Sequence, residues 1–234
     1  MANHKLLRLG AALLFIGLVL ETVLAQYLHP GGGPTMEATF ANYAASSDWA
    51  AVHLGEFVGE TALLAGLLVL YFALGVLQGT PRWLGFFGAI AVGVALVLNG
   101  VLSAVDGVAL KQTVDAWASA PAAEQVTRFA SAEAIRWLEW GINSYWNITR
   151  GLALVLLGSV IVWTARVPRP IGYLMSVSGL AFIVLGWVVG TEGFRGTPTH
   201  AVPTDAGYGF LFVLSIWLLI VAWRMKESIQ AAPA

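Results

Sequence analysis

Residues 130–163, ASAEAIRWLEWGINSYWNITRGLALVLLGSVIVW, decide the fold. Within this stretch Glu139, Asn143, Asn147 and Arg150 recur at steps of four, four and three residues, which sets all four on one stripe of an α-helix. From Gly151 to Trp163 every residue except Ser159 is apolar or glycine. A helix facing water keeps a polar side, whereas one surrounded by lipid needs none. The stretch therefore reads as a membrane helix that carries a stripe of amides and charges into the bilayer. Ionisable groups are costly at that depth and face a bundle interior or a wet cavity.

Five further apolar runs occupy residues 6–28, 54–77, 84–110, 171–191 and 208–223. Each has roughly the 20 residues that cross about 30 Å of hydrocarbon at 1.5 Å per residue. Together with 130–163 they predict an all-α chain folded as a single membrane domain, 1–234, of six transmembrane helices. Lys5 and Arg8 before the first run, and Val23-Leu24-Ala25 near its end, resemble a cleavable signal. The run is long for a signal and carries Glu21, so it is read as a helix that stays.

Composition agrees. With 58% hydrophobic and 11% charged residues and a mean hydropathy of +0.77, the chain departs from soluble domains, in which about a quarter of residues are charged. A net charge of −1 offers no basic excess, so no nucleic-acid partner is expected. The absence of cysteine removes disulfides, thiolate nucleophiles and zinc–thiolate sites.

Lys5, Arg8, Arg82, Arg166, Arg169, Arg224 and Lys226 fall on one side of this arrangement, and Lys111, Arg128, Arg136 and Arg195 on the other. Positive residues concentrate in cytoplasmic loops, which predicts an inner (plasma) membrane protein with both termini cytoplasmic. The cytoplasmic links 78–83 and 164–170 are short; the outer links 29–53, 111–129 and 192–207 are long enough for lids or partner surfaces. Pro81-Arg82-Trp83-Leu84-Gly85-Phe86 is echoed 87 residues later by Pro168-Arg169-Pro170-Ile171-Gly172-Tyr173. That echo admits two readings: duplicated hairpins, helices 2–3 and 4–5, or the independent use of a start suited to any helix leaving the cytoplasm.

Counting 1.5 Å per residue from the cytoplasmic ends puts Glu21, Glu60, Asn99, Asn147 and Arg150 in one layer about 20–25 Å up. His53, Glu56, Ser103, Asp106, Glu139, Asn143 and Glu192 lie at about 30 Å or more. The inner halves hold almost nothing ionisable, so a pocket open to the outside is expected and a continuous channel is not.

The expected ligand-binding set is Glu21, His53, Glu56, Glu60, Asn99, Asp106, Glu139, Asn143, Asn147 and Arg150. Arg150 needs a buried anion, and Glu21 and Glu60 share its level. It either completes an interhelical ion pair or grips an anionic or carbonyl-bearing ligand. Two acids for one base imply that one carboxyl is neutral or that a ligand completes the balance.

His53, Glu56 and Glu60 share a helix face, and His with carboxylate is metal-ligand chemistry. With one such pair, and with His29 and His200 on loops and His4 at the amino terminus, no metal is expected; His53 and Glu56 would carry one. No mid-membrane lysine or His-x-x-x-His motif exists, and no cofactor is named by the sequence. Most of the 10 tryptophans suit an aromatic belt at the membrane surfaces, with Trp146 deeper in the core or on the pocket wall.

The basic-then-apolar opening helix, Phe40-Ala41-Asn42-Tyr43-Ala44 in the first outer link, and Pro168-Arg169-Pro170-Ile171-Gly172 together resemble bacterial six-helix membrane proteins grouped by a domain of unknown function. That resemblance spans most of the chain and carries over no catalytic residue. Three functions follow as expectations. The first is an outward pocket binding a small polar or amphiphilic ligand, with lipid as the surrounding partner. The second is an intramembrane enzyme with Glu56 or Glu60 as acid or base, Arg150 and the asparagines stabilising negative charge on a lipid-soluble substrate. The third is a structural subunit of a homo-oligomer or membrane complex.

Overall fold

The computed structural model describes residues 3–194 and 197–225. The described chain is helical, and six helices are long and apolar enough to cross a membrane. α1 spans His4–Val23 and continues as a wider π turn over Leu24–Leu28; α2 spans Met36–Ala45 and α3 Trp49–Leu74. α4, Gly79–Ala104, runs through a π segment, Val105–Leu110, into α5, Lys111–Ala118. α6 spans Gln125–Thr164, α7 Arg169–Glu192 and α8 Pro198–Arg224.

The apolar runs are where the sequence places them, but their ends move. The run expected at 54–77 becomes Trp49–Leu74, because Gly75 takes the left-handed conformation (φ 57°) that closes a helix, leaving Val76 and Leu77 outside. The run expected at 208–223 starts ten residues earlier, at Pro198, with Pro203 accommodated near its beginning. The run expected at 130–163 starts at Gln125. The outer links 29–53 and 111–129, expected as loops, contain α2 and α5.

The six spanning helices close a ring: α1, α3, α4, α6, α7 and α8 each pack on their neighbours in chain order, and α8 returns to α1. The tightest seams are α6 against α7 and α1 against α3. Both use glycine to let backbones touch. A Cβ added at Gly151 would stand 2.5 Å from the Gly179 carbonyl oxygen, and one at Gly17 would stand 2.5 Å from that of Gly59. Such small-residue seams drive helix association in lipid, where hydrophobic burial gains nothing. Ile16, Val97, Leu180 and Trp187 point outward from the ring, as lipid-facing residues should.

Arginines close helix ends near the termini. Arg166 donates to the carbonyls of Leu74 and Gly75, Arg169 to that of Val162, and Arg8 to that of Ala222. Lys5, Arg8, Arg82, Arg166, Arg169 and Arg224 all stand at this end of the bundle, and Lys111, Arg128 and Arg136 at the other. Arg195 and Lys226, also used in the charge count, lie outside the described residues. At the far end α6 extends well beyond the hydrocarbon thickness, since 40 residues span about 60 Å. There Phe40, Tyr43, Trp49, Leu110, Val114 and Ala132 form a second apolar cluster that packs α2 and α5 over α6 as a cap.

Candidate functional site

Beneath this cap lies a cavity of about 230 Å³ to which all six spanning helices contribute. α1 and its π turn bring Glu21 and Gln26, α3 brings His53, Glu56 and Glu60, and α4 with its π segment brings Asn99, Ser103 and Asp106. α6 adds Asn143, Trp146 and Asn147, α7 adds Leu185, and α8 adds His200, Thr204 and Tyr208. Among the described residues lining it there are four carboxylates and neither Lys nor Arg.

The guanidinium of Arg150 is fully buried behind the cavity wall. It lies between Trp146 and Phe182, 4.0 and 3.8 Å from their ring centroids, where the ring faces favour a cation. Nη1 reaches across the ring of helices to Glu60 Oε2 at 3.2 Å, and Nη2 donates to Asn147 Oδ1 at 2.9 Å. Asn147 in turn donates to Asn143 Oδ1 at 2.7 Å. Glu21 joins through Tyr208, whose hydroxyl accepts from Nη1 at 3.5 Å and donates to Glu21 Oε1 at 2.6 Å. One guanidinium thus faces two buried acids, and among the described residues Glu21 Oε2 and Glu60 Oε1 have no hydrogen-bond partner.

Four turns up the same helix, Arg136 builds a second cluster. It pairs with Glu139, donates to the Tyr43 hydroxyl at 3.1 Å and stands 4.0 Å from Asp106. Tyr43, Trp140 and Phe194 present ring faces to it. Burial pushes the Tyr43 hydroxyl up to about 12, against the lowering effect of Arg136.

Between the two clusters His53 stacks on Trp49 at 4.2 Å. Its Nδ1 lies 2.8 Å from the Trp49 carbonyl and its Nε2 3.2 Å from Asp106 Oδ2. His29, just past the π turn of α1, brings its ring to 5.0 Å from that of His53. Burial holds the His29 imidazole below its ordinary value, against the raising pull of Asp106.

The structure gathers Glu21, His53, Glu56, Glu60, Asn99, Asp106, Asn143 and Asn147 on one cavity, with Arg150 behind the wall and Glu139 turned to Arg136. Sequence reasoning missed Tyr208, Phe182, His29 and the role of Arg136. Arg136 was within reach: extending the stripe 139, 143, 147, 150 back by three residues lands on it. His29 and Tyr208 lie in or near outer links, and only the folded ring brings them to the site. No protein-family model, no curated protein and no solved structure matches this chain.

Proposed function

We propose that the chain is a ligand-binding protein of the bacterial inner membrane, akin to the six-helix group it resembles, with both termini cytoplasmic and its cavity open outward. The ligand in this reading is a small amphiphile with a cationic or proton-donating head. The observation that carries the proposal is the lining: Glu21, Glu56, Glu60 and Asp106 with neither Lys nor Arg among the described residues. One oxygen of Glu21 and one of Glu60 lack a donor among the described residues, and a buried acceptor left unpaired is expensive.

In this reading Arg150 holds Glu60 and Asn147 in position rather than gripping an anion. An apolar groove between α3 and α4, about 290 Å³, shares His53, Phe57 and Ser103 with the cavity and is edged by the outward-facing Leu54 and Val108. It suits the apolar body of such a ligand. Towards the termini the described buried polar side chains are Ser178 and Ser215, which favours a closed pocket over a pathway through the bundle.

Thermal unfolding of the detergent-purified protein tests the reading. An alkyltrimethylammonium should raise the midpoint and an alkylsulfonate of equal chain length should not, and Glu56→Gln should weaken the ammonium effect. Equal stabilisation by both, or a stronger effect of the sulfonate, contradicts the proposal.

A further inference from the structure

The sequence offers His53 and Glu56 as an incomplete metal pair; the fold adds a third ligand from a different element. One ring nitrogen of His29, one of His53 and a carboxylate oxygen of Glu56 all lie within 4.8 Å of one another. Two imidazoles and one carboxylate form a donor set used for Zn²⁺ and for non-haem Fe²⁺.

The outer hydrogen bonds fit that use. Metal-bound histidines commonly donate their other N–H to a backbone carbonyl or carboxylate, which fixes the ring. His29 Nδ1 is 2.9 Å from the Pro30 carbonyl and His53 Nδ1 is 2.8 Å from that of Trp49. A carbonyl only accepts, so both Nδ1 atoms carry the proton and both Nε2 atoms are left as ligands.

For His53 this creates a conflict that a cation resolves. Its Nε2 faces Asp106 Oδ2 at 3.2 Å, so both ring nitrogens face acceptors, and a neutral imidazole can donate to only one. Either the ring is an imidazolium or a cation lies against Nε2. The gathering of ligand atoms favours the cation: a His29 nitrogen and a Glu56 oxygen lie within 4.8 Å of each other and of a His53 nitrogen, which supplies the further donors that a metal ion needs and an imidazolium does not. The stacked Trp49, anchored by Nε1 to the Gly107 carbonyl at 3.1 Å, holds the His53 ring in place.

We infer that His29, His53 and Glu56 form a binding site for a divalent transition-metal ion at the cap end of the cavity, with Asp106 as the adjoining carboxylate. The site ties the link after α1 to α3, and it stands whether or not the cavity takes an amphiphile.

The test is zinc binding by the full chain, purified with a tag that lacks histidine, stripped with chelator and dialysed against Zn²⁺. One equivalent per chain is expected for the wild type, with affinity lowered at least tenfold in His29→Ala and in Glu56→Gln, the loss typical of a removed metal-site partner. His200→Ala, which alters the cavity lining outside the cluster, should keep the full equivalent. Co²⁺ in place of Zn²⁺ should give a visible ligand-field spectrum that His29→Ala removes. Unchanged unfolding midpoints of the stripped variants separate loss of the site from loss of the fold; if His29→Ala does not fold, the conservative His29→Gln takes its place. No stoichiometric zinc in the wild type, or full binding in folded His29 variants, overturns the inference. The alkylammonium experiment on stripped protein reads the cavity separately, so either proposal can fail alone.

Discussion

Arg136 and Arg150 sit on one face of α6, four turns apart, and do the same thing in two settings. Each is buried among three aromatic rings and each is neutralised by carboxylates. Their partners differ. Arg150 binds across the membrane ring, to Glu60 of α3 and through Tyr208 of α8 to Glu21 of α1. Arg136 binds the cap, through Tyr43 of α2, and its own helix, through Glu139. The lower arginine therefore ties spanning helices together and the upper one fastens the cap. Between them the cavity keeps four acids, of which Glu60 meets Arg150 directly, Glu21 meets it through Tyr208, and Asp106 stands 4.0 Å from Arg136.

That contrast is broken most severely at Arg150. Arg150→Met strands Glu60 in the core, and removing one partner of a buried pair costs about 3–5 kcal/mol. Chemical unfolding in detergent should show that loss, and the pair replacement Arg150→Met with Glu60→Met should recover most of it. Equal damage from both would show that the pair itself, and not an unpaired charge, carries the stability. Arg136→Met should cost about 3 kcal/mol, the lower end of that range, since Arg136 is 8% exposed and Arg150 not at all. Its signature should be local: hydrogen exchange should quicken in α2 and leave the α6–α7 seam protected.

Tyr43 sharpens the comparison through pH. Its folded value lies near 12 and the ordinary value is 10.0. The folded state thus holds the proton more tightly, so the stabilisation is complete below pH 10 and is lost as pH rises through 12. At about 1.36 kcal/mol per unit the loss should reach roughly 2–3 kcal/mol. Tyr43→Phe should flatten that alkaline slope; an unchanged slope would place the titration elsewhere. The smallest effect is expected at Tyr208→Phe, where one hydroxyl linking Arg150 to Glu21 disappears, at about 1–2 kcal/mol.

The six spans were legible because lipid imposes a simple rule, a long apolar run, and the chain obeys it. The 139–143–147–150 stripe was legible because helical spacing alone puts those residues on one face. The cap was not: α2 and α5 are short, and their apolar side chains, Phe40 and Val114 among them, find partners in each other and in Trp49, Phe129 and Ala132, which lie far apart in sequence. Tyr208 looked like the start of an apolar run because its importance lies in a contact 187 residues away in sequence. His29 looked like a loop residue because nothing local announces that the π turn of α1 will carry it to His53.

The most direct test uses the absence of cysteine. Ser103→Cys places a thiol on the cavity wall, and Ser178→Cys places one in the fully buried core, where the serine donates to the Gly207 carbonyl at 2.7 Å. An acid-lined cavity should concentrate a cationic thiosulfonate, so Cys at 103 should react with it on the order of tenfold or more faster than with an anionic one. Cys at 178 should react with neither. Equal rates at 103, or faster reaction with the anionic reagent, would contradict an acidic cavity.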